Sequence, residues 1–123
     1  MIVTIYKRDF LRLMSENRLL DHDFSISGAH QLYDLITEHE QKMIGFHYHV
    51  VPDQLNRKFK QMRGKHIVNL YDLTVDQLIL DGCETDEEVC RYLADVAENW
   101  LKERTPYKRF NGDSFVYMRG DFE

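Results

Sequence analysis

The sequence is poor in cysteine and has no long apolar run. Its 123 residues include only two cysteines, Cys83 and Cys90, seven positions apart. Redox and zinc sites use closer Cys-x-x-Cys pairs, so we expect two reduced thiols here. No apolar run approaches the roughly 20 residues of a membrane helix, and residues 1–10 show no basic region followed by an apolar stretch. We therefore expect a cytoplasmic protein with no membrane partner.

The sequence also lacks recognisable catalytic and cofactor-binding motifs. No Gly-rich loop follows a predicted strand, and no serine or cysteine has a visible catalytic partner. Glu38, His39 and Glu40 have the residue types of an acid–base cluster, but consecutive helical residues diverge by about 100° and do not converge. We expect a protein that is not an enzyme and needs no cofactor.

Two histidines suggest a metal site as an alternative. On a strand, His47 and His49 lie on the same face, a separation that supports metal ligation. A third ligand such as His22, His39 or Asp53 would come from elsewhere in the chain with no recognisable spacing. Histidines on the solvent side of a half-buried strand explain the pair equally well, so we assign no metal ligands.

The composition predicts a folded core, and the length predicts a single domain covering residues 1–123. The chain is 43% hydrophobic and 12% aromatic, which disordered chains are not. A domain of this size can bury a core without metal or disulfide support.

The N-terminal half predicts two helices between two strands. Ile2–Tyr6 is a β-branched and aromatic run typical of a strand, and Lys7–Asn17 follows with helical spacing. Ser25 and Ser27 are both candidate N-caps for a longer helix, and Ile44–Val51 alternates as a strand does. The apolar positions of the two helices are Phe10, Leu13, Met14, Leu32, Leu35, Ile36 and Met43.

The second half predicts an element sequence that ends in a β-hairpin. After Pro52, the spacing of Leu55, Phe59 and Met62 predicts an amphipathic helix ended by Gly64, with a second strand as the alternative. A strand at Ile67–Tyr71 should come next. Two capping boxes, Thr74 with Gln77 and Thr85 with Glu88, then predict one helix ended by Gly82 and another over Asp86–Arg104. Its apolar stripe is Val89, Tyr92, Leu93, Val96, Trp100 and Leu101, and strands at Tyr107–Phe110 and Ser114–Arg119 flank the turn at Asn111-Gly112.

The predicted fold is therefore α+β, in the order β-α-α-β-α-β-α-α-β-β. Residues Ile2–Tyr6 match Ile67–Tyr71 at three of five positions. This match suggests a diverged β-α-α-β duplication, with repeats at 1–51 and 67–119 that share one core.

Charge is distributed unevenly along the chain. The net charge is −5, but residues 72–103 contain ten acidic and two basic residues, a local charge of −8. We predict that this segment binds a basic partner protein or nucleoprotein complex. The alternative is that these acids only form a solvated helix face. The predicted contact residues are Asp76, Asp81, Glu84, Asp86, Glu87, Glu88, Asp95 and Glu98.

The segment from 56 to 66 has the opposite sign and supports an alternative function. It has no acidic residue, and its cations Arg57, Lys58, Lys60, Arg63 and Lys65 could contact the phosphates of a nucleic acid. An acidic protein with one basic patch is a poor nucleic-acid binder, so direct binding of nucleic acid is the weaker alternative. The same patch could instead meet the acidic segment of a second copy and form a homodimer.

The layout resembles that of small acidic proteins of phages and mobile elements. The resemblance is carried by Ser27 with Leu32-Tyr33-Asp34-Leu35-Ile36, by Ile44-Gly45-Phe46-His47-Tyr48, and by Asn111-Gly112-Asp113-Ser114-Phe115-Val116-Tyr117 with Phe122. Some of these proteins are anti-restriction or anti-CRISPR inhibitors. The resemblance implies a viral protein that inhibits a host nucleic-acid-handling or defence complex in the host cytoplasm. It carries over no functional residues.

Overall fold

The computed structural model describes residues 6–20, 23–42, 55 and 57–120, with the backbone alone for 39–42. The strand predicted at Ile44–Val51 therefore lies outside the described residues, as do Met43, Phe122 and all of the predicted strand Ile2–Tyr6 except Tyr6, which precedes the first helix. The described residues form the α+β fold that the sequence predicts, and the order of elements agrees in outline. Its helices are α1 (Lys7–Glu16), α2 (Ile26–Lys42), α3 (Gly64–Leu70), α4 (Gln77–Gly82) and α5 (Asp86–Lys102), and its strands are β1 (Phe59–Arg63), β2 (Tyr107–Phe110) and β3 (Ser114–Met118). No helix among these residues is long and apolar enough to cross a membrane.

The three strands form an antiparallel sheet in the order β1-β3-β2. The predicted hairpin is confirmed as β2 and β3, and Asn111 and Gly112 both have the positive φ angles that a type I′ turn requires. Phe110 pairs with Ser114, so Asp113 also belongs to the connection. Strand β1 pairs with the other side of β3, where Gln61 lies opposite Val116.

Side chains alternate between the two faces along each strand. Helices cover both faces of this sheet. Val116 of β3 joins a cluster with α1 and α2, whereas Phe115 and Tyr117 join a cluster with α3 and α5. The first cluster contains Phe10, Met14, Leu19, Phe24, Ala29, Leu32, Leu35, Ile36, Leu55, Phe59, Phe110 and Val116. The second contains Ile67, Val68, Ala94, Ala97, Leu101, Phe115 and Tyr117.

Both N-terminal helices are confirmed. Phe10 and Met14 are buried on α1, and the predicted face of α2 is buried at its described apolar positions. Ser25 is the residue that caps α2, since its Oγ accepts a hydrogen bond from Gly28 N at 3.0 Å. Ser27 lies inside the helix.

The helix predicted for the basic segment is wrong from Phe59 onwards. Leu55, Arg57 and Lys58 are helical, but Phe59–Arg63 form β1, as the alternative interpretation predicted. Helical spacing of Leu55, Phe59 and Met62 also suits a strand that is covered on both faces. Phe59 packs in the first cluster and Met62 against the second. Pairing with β3 therefore decides the conformation, as tertiary context often does.

The strand predicted at Ile67–Tyr71 is also wrong, and Gly64 begins a helix there instead of ending one. Ile67 and Val68 are buried in α3 while Leu70 is exposed, a pattern that suits a helix packed on one side. Gly64 is buried directly against Ala94 of α5, so its missing side chain serves close helix packing. The strand on which the suggested duplication depended is consequently helical.

The two predicted capping boxes have different outcomes. Thr85 caps α5, accepting a hydrogen bond from Glu88 N at 3.1 Å, as predicted. Thr74 does not cap α4; Asp76 does, accepting from Leu78 N at 2.9 Å. An aspartate one residue before the helix is a good N-cap, and it displaces the threonine. Gly82 ends α4 as predicted.

The stripe predicted on α5 is only partly the buried face. Leu101 is fully buried and Leu93, Val96 and Trp100 pack against the second cluster. The most deeply buried positions also include Ala94 and Ala97, whose small side chains let α3 approach closely.

Candidate protein-binding surface

Helix α4 lies outside both hydrophobic clusters. None of its residues is buried, although it contains three consecutive apolar residues, Leu78, Ile79 and Leu80. Leu78 is 82% exposed and Ile79 is 49% exposed. The helix is held from its N-terminal side, where the Tyr92 hydroxyl of α5 accepts a hydrogen bond from Asp76 N at 2.8 Å. The chain thus holds the start of α4 while leaving Leu78 and Ile79 in solvent.

Six of the eight predicted contact residues are exposed on α4, the following loop and the first turn of α5. We call this group the acidic surface: Asp76, Asp81, Glu84, Asp86, Glu87 and Glu88.

Part of this acidity stabilises helix ends. Asp76 caps α4, and the Glu88 carboxylate accepts a hydrogen bond from Glu84 N at 2.8 Å. Asp86, Glu87 and Glu88 lie in the first turn of α5, where negative charge complements the helix dipole. Glu87 also pairs with Arg91, at 3.3 Å. Glu84 and Asp86 show no side-chain ion pair or hydrogen bond within the described residues, so their carboxylates can contact a partner.

Asp95 and Glu98 belong to a separate arrangement beside the sheet. Arg109 of β2 places its Nη1 2.7 Å from the Asp95 carboxylate and 3.6 Å from that of Glu98. The Arg109 side chain is only 20% exposed. Burial, and secondly the Glu98 carboxylate, raise the pKa of the neighbouring Tyr107 hydroxyl. These two carboxylates therefore connect α5 to β2, and the single positive charge of Arg109 offsets one of their two negative charges.

A cleft of about 460 Å³ borders the acidic surface. Asp86 and Glu87 contribute to its lining, as do Arg63 of β1 and Lys65 of α3. Arg63 is held by the Asp113 carboxylate, with its Nη2 2.5 Å from Oδ2. This hydrogen bond raises the pKa of the Arg63 guanidinium. The lining contains both positive and negative groups, so this cleft favours neither a simple anion nor a simple cation.

The predicted basic patch is divided among several elements. Arg57 and Lys58 are helical, Lys60 and Arg63 lie on β1, and Lys65 lies on α3. Because Arg63 is also bound to Asp113, the segment does not present five unengaged cations on one face.

His47 and His49, the pair considered for metal binding, lie outside the described residues. Within the described part of the chain, no group of three or more histidine, cysteine or acidic side chains could hold a metal ion. Both cysteines are free thiols, as predicted. The Cys83 thiol donates to Ile79 O at 3.3 Å, whereas Arg63 Nη2 lies 3.7 Å from the Cys90 sulfur.

Comparison with protein-family models, curated proteins and solved structures found no match to this chain.

Sequence reasoning identified the acids but missed the apolar side chains among them. The run Leu78-Ile79-Leu80 offers a usable signal, because consecutive residues on a helix point about 100° apart and cannot all face one core. A short helix with three apolar residues in a row must expose at least one of them unless it is buried on all sides.

Proposed function

We propose that this chain is a non-enzymatic, phage-type inhibitor that binds a host nucleic-acid-handling or defence complex through its acidic surface. The observation that carries the proposal is the exposure of all six acidic residues of that surface. Glu87 is paired with Arg91, and the other five have no ion pair within the described residues. A concentrated negative surface of this kind attracts a basic groove and accelerates association with it.

The expected mode of action is occlusion. Proteins that handle nucleic acids bind phosphates with clusters of lysine and arginine. Carboxylates held on a folded surface can occupy such a cluster and exclude the nucleic acid. This mechanism needs no catalytic residue or cofactor, and its strength should fall steeply as salt screens the charges.

The experiment is affinity capture from host lysate at low salt, with mass spectrometry of the proteins that elute as salt rises. The test variant combines Asp81→Asn, Glu84→Gln and Asp86→Asn, which removes three charges without removing either helix cap. The control combines Asp9→Asn, Glu16→Gln and Asp23→Asn, which removes the same charge from the other end of the chain.

We expect the unmodified chain and the control to retain one basic nucleic-acid-handling complex that elutes at moderate salt. The test variant should lose it, and the unmodified chain should reduce the binding of nucleic acid by the purified complex. Equal retention of the complex by both variants would refute the proposal. Recovery of nucleic acid alone would instead favour the basic segment, and recovery of the chain alone would favour self-association.

A further inference from the structure

Helix α4 exposes apolar side chains to solvent between acidic residues. Its exposed apolar residues, Leu78 and Ile79, are adjacent in sequence, so their side chains cover a broad part of the helix circumference. Isolated exposed leucines are common on proteins, but a helix with no buried residue gains nothing from two adjacent apolar side chains in water. Their placement is explained if another molecule covers them.

Acidic side chains lie at both ends of this apolar segment. Asp76 precedes the helix and Asp81 lies near its end, five residues later, which corresponds to about 7.5 Å along the helix axis. Each carboxylate accepts one hydrogen bond within the chain, from Leu78 N and from Gln77 Nε2, both at 2.9 Å. A carboxylate has about four acceptor positions, so each can still accept bonds from a cation. Glu84 adds a further exposed charge beyond the C-terminal end.

We propose that α4 is the hydrophobic anchor of the acidic surface and that it receives a cationic amphipathic helix of the partner protein. Charge complementarity determines the choice of partner: the apolar stripe of that helix would cover Leu78 and Ile79, and lysines or arginines beside the stripe would meet Asp76 and Asp81. Cations five to seven residues apart on the partner helix span the required distance of roughly 7.5–10.5 Å. The inference rests on the proposed function, because it assigns the partner chemistry of the same surface.

The test uses two synthetic peptides of 18 residues as probes. The first places leucines in one helical stripe flanked by lysines. The second has the same composition and charge, with its leucines distributed around the helix. Binding to the full chain is measured by isothermal titration calorimetry at low and high salt, and the site is mapped by NMR of the leucine and isoleucine methyl groups.

Two variants isolate the anchor. Leu78→Ser with Ile79→Ser removes the apolar contact without changing charge. Both residues are exposed, so the fold does not depend on burying them. Ile26→Ser is the matched control, since Ile26 is 60% exposed at the start of α2. Helix α2 packs in the first cluster, on the sheet face opposite to α5. Circular dichroism checks that each variant is folded.

We expect the striped peptide to bind about tenfold more tightly than the distributed one, and the double variant to abolish that difference. Ile26→Ser should change binding less than twofold, and the methyl signals of Leu78 and Ile79 should shift. Equal binding of the two peptides, or an unchanged affinity of the double variant, would overturn the hydrophobic anchor. If both peptides still bound in a salt-sensitive way, the proposed function would stand without it. If neither peptide binds at low salt, the anchor and the acidic docking mechanism are both wrong.

Discussion

Gly64 and Ala94 meet where α3 crosses α5, with no room for a side chain on the glycine. A Cβ placed on Gly64 would lie 2.5 Å from the Ala94 Cα and 2.9 Å from its Cβ. The nearest atom belongs to the backbone of a helix, which cannot move aside as a flexible side chain can. Gly64 therefore determines how closely the two helices of the second cluster pack.

Replacing Gly64 with alanine should destabilise the protein. Overpacking of this kind forces backbone shifts that cost about 1–3 kcal/mol. Urea unfolding followed by circular dichroism measures the change. Gly82→Ala is the control, because a Cβ there would meet no atom within 4 Å, and its effect should stay within about 0.5 kcal/mol. Equal stability of the two variants would show that the helices can separate without cost.

The N-terminus of α2 should be energetically coupled to β1. The Gln61 carboxamide accepts a hydrogen bond from Ser25 N at 2.9 Å and donates one to Ser25 Oγ at 3.0 Å, and the same Oγ caps the helix. Ser25→Ala should cost about 1 kcal/mol. In a double-mutant cycle with Gln61→Ala, the coupling energy should be about 0.5–1.5 kcal/mol.

A second cycle tests whether that coupling is specific. Thr85→Ala removes the cap of α5, which has no hydrogen bond to Gln61. Its cost should add to that of Gln61→Ala within about 0.5 kcal/mol. A coupling of similar size in both cycles would indicate a general effect of Gln61 on the fold and not a shared cap.

The sequence predicted those elements whose signals are local, and it failed where distant contacts decide. The cap at Thr85 and the hairpin turn at Asn111-Gly112 are short-range chemistry, and both predictions are confirmed. Phe59–Arg63 has two apolar residues and Ile67–Tyr71 has four, and apolar residues in segments this short suit either a helix or a strand. Pairing with β3 makes the first segment a strand, and packing against Ala94 favours a helix for the second. Neither contact can be inferred from the local sequence pattern.

The candidate site shows the same division. The exposed acids could be found by counting charges, because their position at helix ends follows from local sequence. The pairing of Asp95 and Glu98 with Arg109 could not be found in this way, since the arginine lies eleven or more residues away on a strand. The exposure of Leu78 depends on where α4 lies relative to the core, which is a property of the whole fold.

Tyr107 should titrate above the ordinary tyrosine pKa of 10.0, because burial and then Glu98 disfavour its charged form. Its contribution to stability is then fully present below pH 10 and is lost as pH rises through the folded-state pKa. Glu98→Gln should lower the pKa of Tyr107 while leaving the part due to burial. NMR of the Tyr107 ring measures it, with assignment from Tyr107→Phe. A pKa that does not change in Glu98→Gln would exclude the carboxylate as a cause.

Asp95 and Glu98 should matter for stability and not for partner binding, contrary to the interface predicted from sequence. Neutralising both as Asp95→Asn and Glu98→Gln leaves the largely buried Arg109 guanidinium without its anionic partners, and we expect a loss of about 1–3 kcal/mol in the free energy of unfolding. Asp81→Asn with Glu84→Gln removes the same charge from exposed positions and should change stability by less than about 0.5 kcal/mol. In the capture experiment the order should reverse, with the second pair releasing the complex at lower salt and the first pair retaining it. If instead the Asp95 and Glu98 variant were fully stable but lost the complex, the contact would extend along α5 towards β2, and Arg109 would have to release these carboxylates when the partner binds.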